Sequence, residues 1–329
     1  MLRNKEQLLG RKNLLAFSAG VDSTALLHLL LENNILFDIA IVDYGVRQES
    51  QDEVKYAQAL AQQHNLICHL HKARKIDKNF EATARELRYR FFESLIQQFD
   101  YTNLLTAHHL GDRFEWMMMQ FCKGAGCYEL SGMRGVEDRG SYFLIRPLLH
   151  LDKQELLQYL QTRNIKYFED ASNSEMHYKR NEFRHTFTQP LLKKHLSGIK
   201  KSFEYIDTDC DILVENIEVL TINKLAYFKP SNNWRSNIVT IDKYIKSSGN
   251  VITAQERELL KSQTSTVLGR KYIVSQMPTL TLIAPYIKPQ STVMDKKFKE
   301  KMRLLKIDPK LRAYLSTDSE AVELLSTLL

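Results

Sequence analysis

Three groups of residues in this 329-residue chain have the types and the spacing to do chemistry. The first is Ser18, Ala19, Gly20, Val21, Asp22 and Ser23, a small-residue turn between a buried apolar run and a strongly helical one. Such a turn aims backbone N–H groups and a helix N-terminus at one spot, an anion site, with Asp22 or Ser23 expected to cap the helix. It is not a Walker A loop, because no Gly-Lys-Ser/Thr follows, and it is not a dinucleotide fingerprint, because G-x-G-x-x-G is absent. The second group is Asp112 and Glu115, three apart on an expected helix and so on one face, with His108 and His109 at its start. Carboxylates so placed can orient an ammonium group and take its proton, although taken alone they read more readily as a solvated, salt-bridging face. The third group is the arginines: Arg85 and Arg88 share a helical face, and Arg180 and Arg184 stand together further on. Bidentate guanidinium suits phosphate oxygens, whether of a nucleotide or of a nucleic acid.

The elements around these residues alternate. Apolar runs at 13–18, 36–43, 66–71 and 103–108 read as strands, and between and after them helices are expected near 22–33, 49–64, 80–99 and 109–123. The strand runs are continuously apolar, as in strands covered on both faces, so the pattern predicts an α/β fold with a parallel sheet. His108 and His109 then fall just beyond the C-terminal end of a strand, the edge where open α/β sheets bind ligands. YFLIR at 142–146 predicts one more strand, stopped by Pro147, and Asp152 with Glu155 has capping-box spacing for a helix to Arg163. The organisation expected is a Rossmann-like domain over 1–200, an acidic helical connector over 201–223 and a smaller C-terminal α/β domain over 224–329.

Composition narrows the class. Hydrophobic residues make up 43% and charged residues 26%, which is globular and excludes a disordered or collagenous chain. The net charge of +7 is uneven: residues 251–312 carry 13 basic and 5 acidic side chains, and 174–201 carry 7 and 2. That surplus suggests a polyanionic partner, with solvated helix faces as the plain alternative. Cys68, Cys122, Cys127 and Cys210 form no C-x-x-C pair, which removes the usual signature of zinc ribbons, iron–sulfur clusters and thioredoxin-like chemistry. With no signal-peptide core and no run of ~20 apolar residues, a cytoplasmic protein without membrane attachment is expected.

The turn S-x-G-x-D-S after a first strand resembles the pyrophosphate loop of the N-type ATP pyrophosphatase (PP-loop) superfamily. Further stretches resemble one branch of it, the tRNA(Ile)-lysidine synthetases. These are IVDYGVRQES at 41–50, NFEATARELRYRFF at 79–92, LTAHHLGDRFEWMMMQFCKGAGCYELSGM at 105–133, LIRPLLHLDKQELLQYL at 144–160 and FEDASNSEMHYKRNEFRH at 168–185. The match covers about 13–190 well, and GRKYIVSQMPTLTLIAP at 269–285 is loosely similar to the small C-terminal domain of the same enzymes. The resemblance implies ATP and Mg²⁺ as cofactors, with Ser18, Ala19, Gly20, Val21, Asp22 and Ser23 cradling pyrophosphate and Asp22 near the metal. It implies activation of C2 of the wobble cytidine in a CAU-anticodon tRNA(Ile) by adenylation of its O2, then displacement of AMP by the ε-amine of free L-lysine. Asp112 and Glu115 would bind and deprotonate that amine, and Arg88 and Arg180 would meet phosphate during adenylation. Lys179, Arg180, Arg184, Lys193 and Lys194, with Lys200, Lys201 and the basic stretch 251–312, would track the tRNA backbone. Oligomeric state stays open, a homodimer among the options.

The chain departs from the family pattern at four places. Ala19 replaces the first glycine of S-G-G, Tyr44 replaces a histidine, Gly111 replaces the first residue of an acidic doublet, and Trp116 replaces threonine. The rival readings are a tRNA 2-thiolation enzyme, which usually carries catalytic or cluster cysteines, a GMP- or NAD-synthetase-like enzyme, and a catalytically inactive RNA-binding module. Intact Asp22, Asp112 and Glu115 argue against the last, and ATP turnover would discriminate.

Overall fold

Leu14 and Leu15 have no exposed surface in β1 (Asn13–Ala16), the strand around which the first half of the chain is built. The structure, a computed structural model, describes residues 1–45, 49–74, 76, 80–169, 179–288 and 294–329, and the chain divides into two units, Met1–Thr208 and Asp209–Leu329. In the first unit β1 is followed by α1 (Val21–Glu32), β2 (Phe37–Asp43), α2 (Glu49–Gln63), β3 (Cys68–Lys72), α3 (Phe80–Phe99) and β4 (Asn103–Leu105). Then come α4 (Leu110–Phe121), α5 (Cys127–Ser131), β5 (Val136–Asp138), β6 (Phe143–Ile145), α6 (Lys153–Thr162), α7 (Lys179–Phe183) and α8 (Gln189–Leu213). Motif positions 46–48, 79 and 170–178 lie outside the described residues, as does the side chain of Lys179.

The sheet runs β3-β2-β1-β4-β6-β5, parallel except for β5 at the edge. Winding goes outward from β1 to β3 and then resumes on the other side of β1 with β4. The loops leaving β1 and β4 therefore diverge and open a crevice at the carboxyl edge, the place where such sheets take ligands. Leu26, Leu27 and Leu30 of α1 and Leu156 and Leu160 of α6 cover one face. Phe92, Leu95 and Ile96 of α3 pack with Leu14, Ala40 and Leu104 on the other. Burial on both sides accounts for strands that do not alternate. The capping box of α6 forms as expected, with Asp152 Oδ1 accepting from the Glu155 amide at 2.9 Å and Glu155 Oε2 from the Asp152 amide at 2.8 Å.

Several boundaries differ from the sequence expectation. β3 starts at Cys68, because Asn65 turns left-handed at φ 54° and the Leu66 amide donates back to Ala61 at 2.8 Å to close α2. β5 and α5 were not expected; at three and five residues they are too short to show a period. The acidic connector expected over 201–223 is helical only as far as Leu213, the end of α8, and Leu220–Ile222 is instead the edge strand β7 of the second sheet. One of its acids, Asp207, is taken up by Arg113 of the first unit in a fork at 2.9 and 2.5 Å.

After β7 the second unit holds β8 (Leu225–Phe228), α9 (Trp234–Ser247), α10 (Ala254–Ser262), β9 (Ser265–Leu268), β10 (Tyr272–Gln276) and β11 (Thr281–Pro285). It ends with α11 (Lys296–Leu304), α12 (Pro309–Leu315) and α13 (Ser319–Leu328). Its sheet, β7-β8-β11-β10-β9, is antiparallel. Ile238, Ile241, Ile245 and Leu260 fill one core cluster, and Met302, Leu311, Leu315 and Leu325 fill another.

Candidate active site

The loop after β1 is built on hydroxyl contacts. Ser23 Oγ accepts from the Ser18 amide and lies against Ser18 Oγ, both at 3.2 Å, which ties the two ends of the turn together. The cap expected at Asp22 or Ser23 is Gly20 instead, and no side chain caps α1. That places Asp22 in the first turn and leaves the helix N-terminus without a side-chain acceptor of its own, the arrangement an anion site needs.

Ala19 is wholly buried at φ 59°, the left-handed conformation that favours glycine, and its carbonyl accepts from the Phe168 amide at 3.0 Å. Left-handed backbone costs a non-glycine residue about 1–2 kcal/mol. Burying the methyl returns about 0.8 kcal/mol, and glycine would loosen the unfolded chain by a similar amount. Ala19→Gly is therefore expected to change unfolding free energy by less than about 1 kcal/mol and to retain ATP turnover. Denaturant unfolding checks this, and a loss above about 2 kcal/mol would mean that the methyl does more than fill space.

The loop after β4 brings His109 beside this turn. His109 Nε2 lies 3.9 Å from Asp22 Oδ2 and 3.6 Å from Asp112 Oδ2, so one ring stands between two carboxylates. The ring is held from its other nitrogen, because Nδ1 accepts from the Gly111 amide at 2.9 Å as the N-cap of α4. Asp112 Oδ2 closes the box by accepting from the His109 amide at 3.1 Å. This geometry explains Gly111. A Cβ there would lie 2.6 Å from His109 Cε1, so the ring can fold back only where residue 111 has no side chain.

Asp112 and Glu115 are not a solvated face. Their side chains are 13% and 1% exposed, and both meet two guanidinium groups. Glu115 Oε1 accepts from Arg180 Nε and Glu115 Oε2 from Arg184 Nε at 2.9 Å. Asp112 Oδ1 lies 3.4 Å from Arg180 Nη2 and 3.5 Å from Arg184 Nη2. Burial would raise the Asp112 carboxyl, but His109, Arg180 and the His109 amide outweigh it and hold it well below the ordinary carboxylate range. Asp22 goes the other way. Burial raises it, only partly offset by His109 and Lys153, and its Oδ1 has no hydrogen-bond partner among the described residues. Burial also pushes His108 down to about 4, so it is neutral, with Nδ1 2.9 Å from the Thr106 hydroxyl.

Other expected site residues stand elsewhere. Arg88 is exposed on α3 within electrostatic reach of Tyr44, after β2, and Arg85 stacks on Tyr89 at 5.0 Å. Lys193 and Lys194 are exposed on α8, whereas Lys200 is tied to Glu155 at 2.7 Å and Lys201 to Glu204 at 3.2 Å. The sequence reading missed three groups: His109 as a cap, Arg184 as a partner of Glu115, and Lys153, which acts on Asp22 from the start of α6. Only Lys153 left a signal, as the basic residue two before Glu155 in the motif stretch 144–160.

A family model described as a PP-loop domain matches residues 2–191. The chain is 40% identical to the tRNA(Ile)-lysidine synthase of Helicobacter pylori strain J99 over 312 residues, covering 94% of this chain and 90% of that one. It is 41% identical to that of Wolinella succinogenes, covering 95% of each. The chain belongs to the tRNA(Ile)-lysidine synthases. As a member of that family it is a tRNA-modifying ligase that uses ATP and forms lysidine on tRNA(Ile). Among solved structures, the U34-tRNA thiolase NcsA from Methanococcus maripaludis shares the fold, with a TM-score of 0.52 and 18% identity over 61% of this chain and 73% of that one. None of the four cysteines is in a disulfide, and no cluster able to hold a metal occurs among the described residues. No helix among the described residues is long and apolar enough to cross a membrane.

Proposed function

We propose that the Asp112–Glu115 pair is the lysine site of this enzyme, and the observation that carries the reading is the pair of guanidinium groups now held there. Two buried carboxylates at the carboxyl edge of the sheet, closed by Arg180 and Arg184, form a site selected for a cation with several N–H donors. The ε-ammonium of free L-lysine offers the same donors on a slimmer group. When it enters, Arg180 and Arg184 can turn to the phosphates of ATP at the loop after β1, which His109 links to Asp112 through contacts of 3.9 Å to Asp22 and 3.6 Å to Asp112.

The reaction then runs in two displacements. O2 of the wobble cytidine in the CAU anticodon attacks the α-phosphorus of ATP, and the bond to the β-phosphate oxygen breaks, releasing pyrophosphate onto the Ser18–Ser23 turn. The lysine ε-nitrogen, deprotonated by Asp112 or Glu115, attacks C2 of the adenylated cytidine, and the C2–O2 bond breaks to release AMP. Guanidinium near the α-phosphate offsets the charge that develops there. Asp22 fits Mg²⁺: its Oδ1 is a buried oxygen with no partner among the described residues, in line with one carboxylate plus phosphate oxygens as the usual Mg²⁺ set. Mg²⁺ there would neutralise phosphate charge. His108, neutral, stands within electrostatic reach of Asp112 without adding charge.

In this reading the first unit adenylates and the second holds tRNA, in a cytoplasmic enzyme. Lys296, Lys297, Lys299 and Lys301 are exposed on α11, and Lys193 and Lys194 on α8. A double Lys193→Ala/Lys194→Ala variant is expected to raise KM for tRNA and to lower the slope of log KM against log salt by about 1.5 units. An unchanged slope would remove α8 from the phosphate track. The reading as a whole is tested by incorporation of labelled lysine into CAU-anticodon tRNA(Ile) with ATP and Mg²⁺, against Asp112→Asn. Incorporation with AMP and pyrophosphate released, lost in the variant, supports it. Pyrophosphate release without incorporation would keep the ATP site and overturn the lysine site.

A further inference from the structure

Trp116 stands where the family pattern has threonine, and nothing in the two displacements uses it. It follows Asp112 by one helical turn on α4, so its indole rises from the same side of the helix as the lysine-site carboxylate. Large apolar rings are normally buried, but this residue is 44% exposed. Its seat is specific. Gly132, at the end of α5, turns at φ +65°, and a Cβ there would lie 2.8 Å from Trp116 Cδ1, so the indole edge rests on bare backbone. The seat is also fixed, because buried Arg113 donates from Nε to the Ser131 carbonyl at 2.9 Å and forks onto Asp207. A ring anchored by one edge keeps its position while a face stays available.

The other tryptophan is a useful contrast. Trp234, in the second unit, carries Lys261 over its ring at 5.3 Å and Arg235 at 5.9 Å. Among the described residues no ring or cation stacks on Trp116. The lysine-site carboxylates on the same helix, Asp112 and Glu115, offer no flat face to a base, and the guanidinium groups of Arg180 and Arg184 are engaged by those carboxylates. Recognition of an unpaired base requires such a face, since RNA read outside a duplex is held largely by stacking on aromatic side chains.

We infer that Trp116 is the stacking platform for the pyrimidine that reacts, holding the base extruded from the anticodon loop with its C2 edge toward Asp112 and Glu115. The inference rests on the lysine-site reading above for the direction in which the base must point. It makes Trp116 a substrate-binding residue with no part in proton transfer.

The test uses the full chain and a CAU anticodon stem-loop. Binding of the stem-loop is expected to quench indole fluorescence in the parent, and Trp116→Phe is expected to lose that quench while binding within a few-fold of the parent, because phenylalanine still stacks. Trp116→Ala is expected to raise KM for tRNA(Ile) by about 5- to 100-fold with kcat near the parent value, the range that one base–aromatic stack supplies. A stem-loop lacking the base at the wobble position should bind the parent without the quench. Equal quench in the parent and Trp116→Phe would overturn the assignment, as would full quench by the abasic stem-loop. Loss of thermal stability in Trp116→Ala with KM unchanged would make the indole a packing group on Gly132. Failure of the lysine-site reading shows separately, as a parent that binds and quenches but incorporates no lysine.

Discussion

Glu115→Gln is expected to separate the two half-reactions. The substitution keeps the volume of a side chain that is 1% exposed, but removes the charge that two guanidinium groups share. Glutamine can accept from Arg180 or Arg184, yet it cannot take a proton from the lysine ammonium. Lysine transfer should therefore fall by about 10²- to 10⁴-fold, the range of a lost general base. Adenylation does not need that proton, so one equivalent of pyrophosphate should still be released when enzyme, tRNA(Ile) and ATP are mixed without turnover. Rapid-quench measurement of pyrophosphate and of labelled lysine in the same reaction reads both. If the two fall together, Glu115 serves the ATP site and the lysine must bind elsewhere. The stability cost should be about 1–3 kcal/mol, less than for a sealed ion pair, because the Arg180 side chain is 38% exposed and Arg184 23%, so both can reach water.

That pairing is also where the sequence was least legible. Glu115 lies 65 residues from Arg180 and 69 from Arg184, and no local pattern joins them. Arg184 reads from the sequence as an RNA contact because it stands in a basic run and the acid it meets is far off in the chain. The segment folds it inward, onto the acid that helix spacing had already put next to Asp112. The turn after β1 was legible because small residues between an apolar strand and a helix leave few alternatives, and its left-handed residue was foreseeable from a glycine position filled by Ala19. Its cap was not. Ser and Asp are the common caps, and here Gly20 holds the position while Ser23 spends its hydroxyl on the turn itself. His109 shows the same limit. An imidazole capping α4 depends on the missing side chain at Gly111, a relation between two residues that neither type announces.

Asp22→Asn is expected to abolish turnover without weakening the ligand-free fold. Asp22 has its carboxyl raised by burial, against the pull of His109 and Lys153, and an oxygen with no partner among the described residues. A carboxylate in that state is costly to keep ionised. The folded chain holds its proton more tightly than the unfolded chain, whose carboxyl titrates near 3.8, so the destabilising contribution appears as pH rises through that value and is complete above the raised folded one. Asparagine has no such cost. The melting temperature of Asp22→Asn should therefore match or exceed that of the parent at neutral pH, and the gap should close as pH falls toward 4. Function should move in the opposite direction. With ATP and Mg²⁺ the parent should gain thermal stability by mass action and the variant should gain much less, while both pyrophosphate release and lysine incorporation fall by about 10²- to 10³-fold or more. A variant that melts lower than the parent without ligand would show that Asp22 holds the turn together. A variant stabilised by ATP and Mg²⁺ as much as the parent would place the metal on other groups. The expected pattern, a gain in stability with a loss in both half-reactions, is what a carboxylate held for a cation it has yet to meet should give, and it contrasts with Glu115, where the cation is already present and comes from the chain itself.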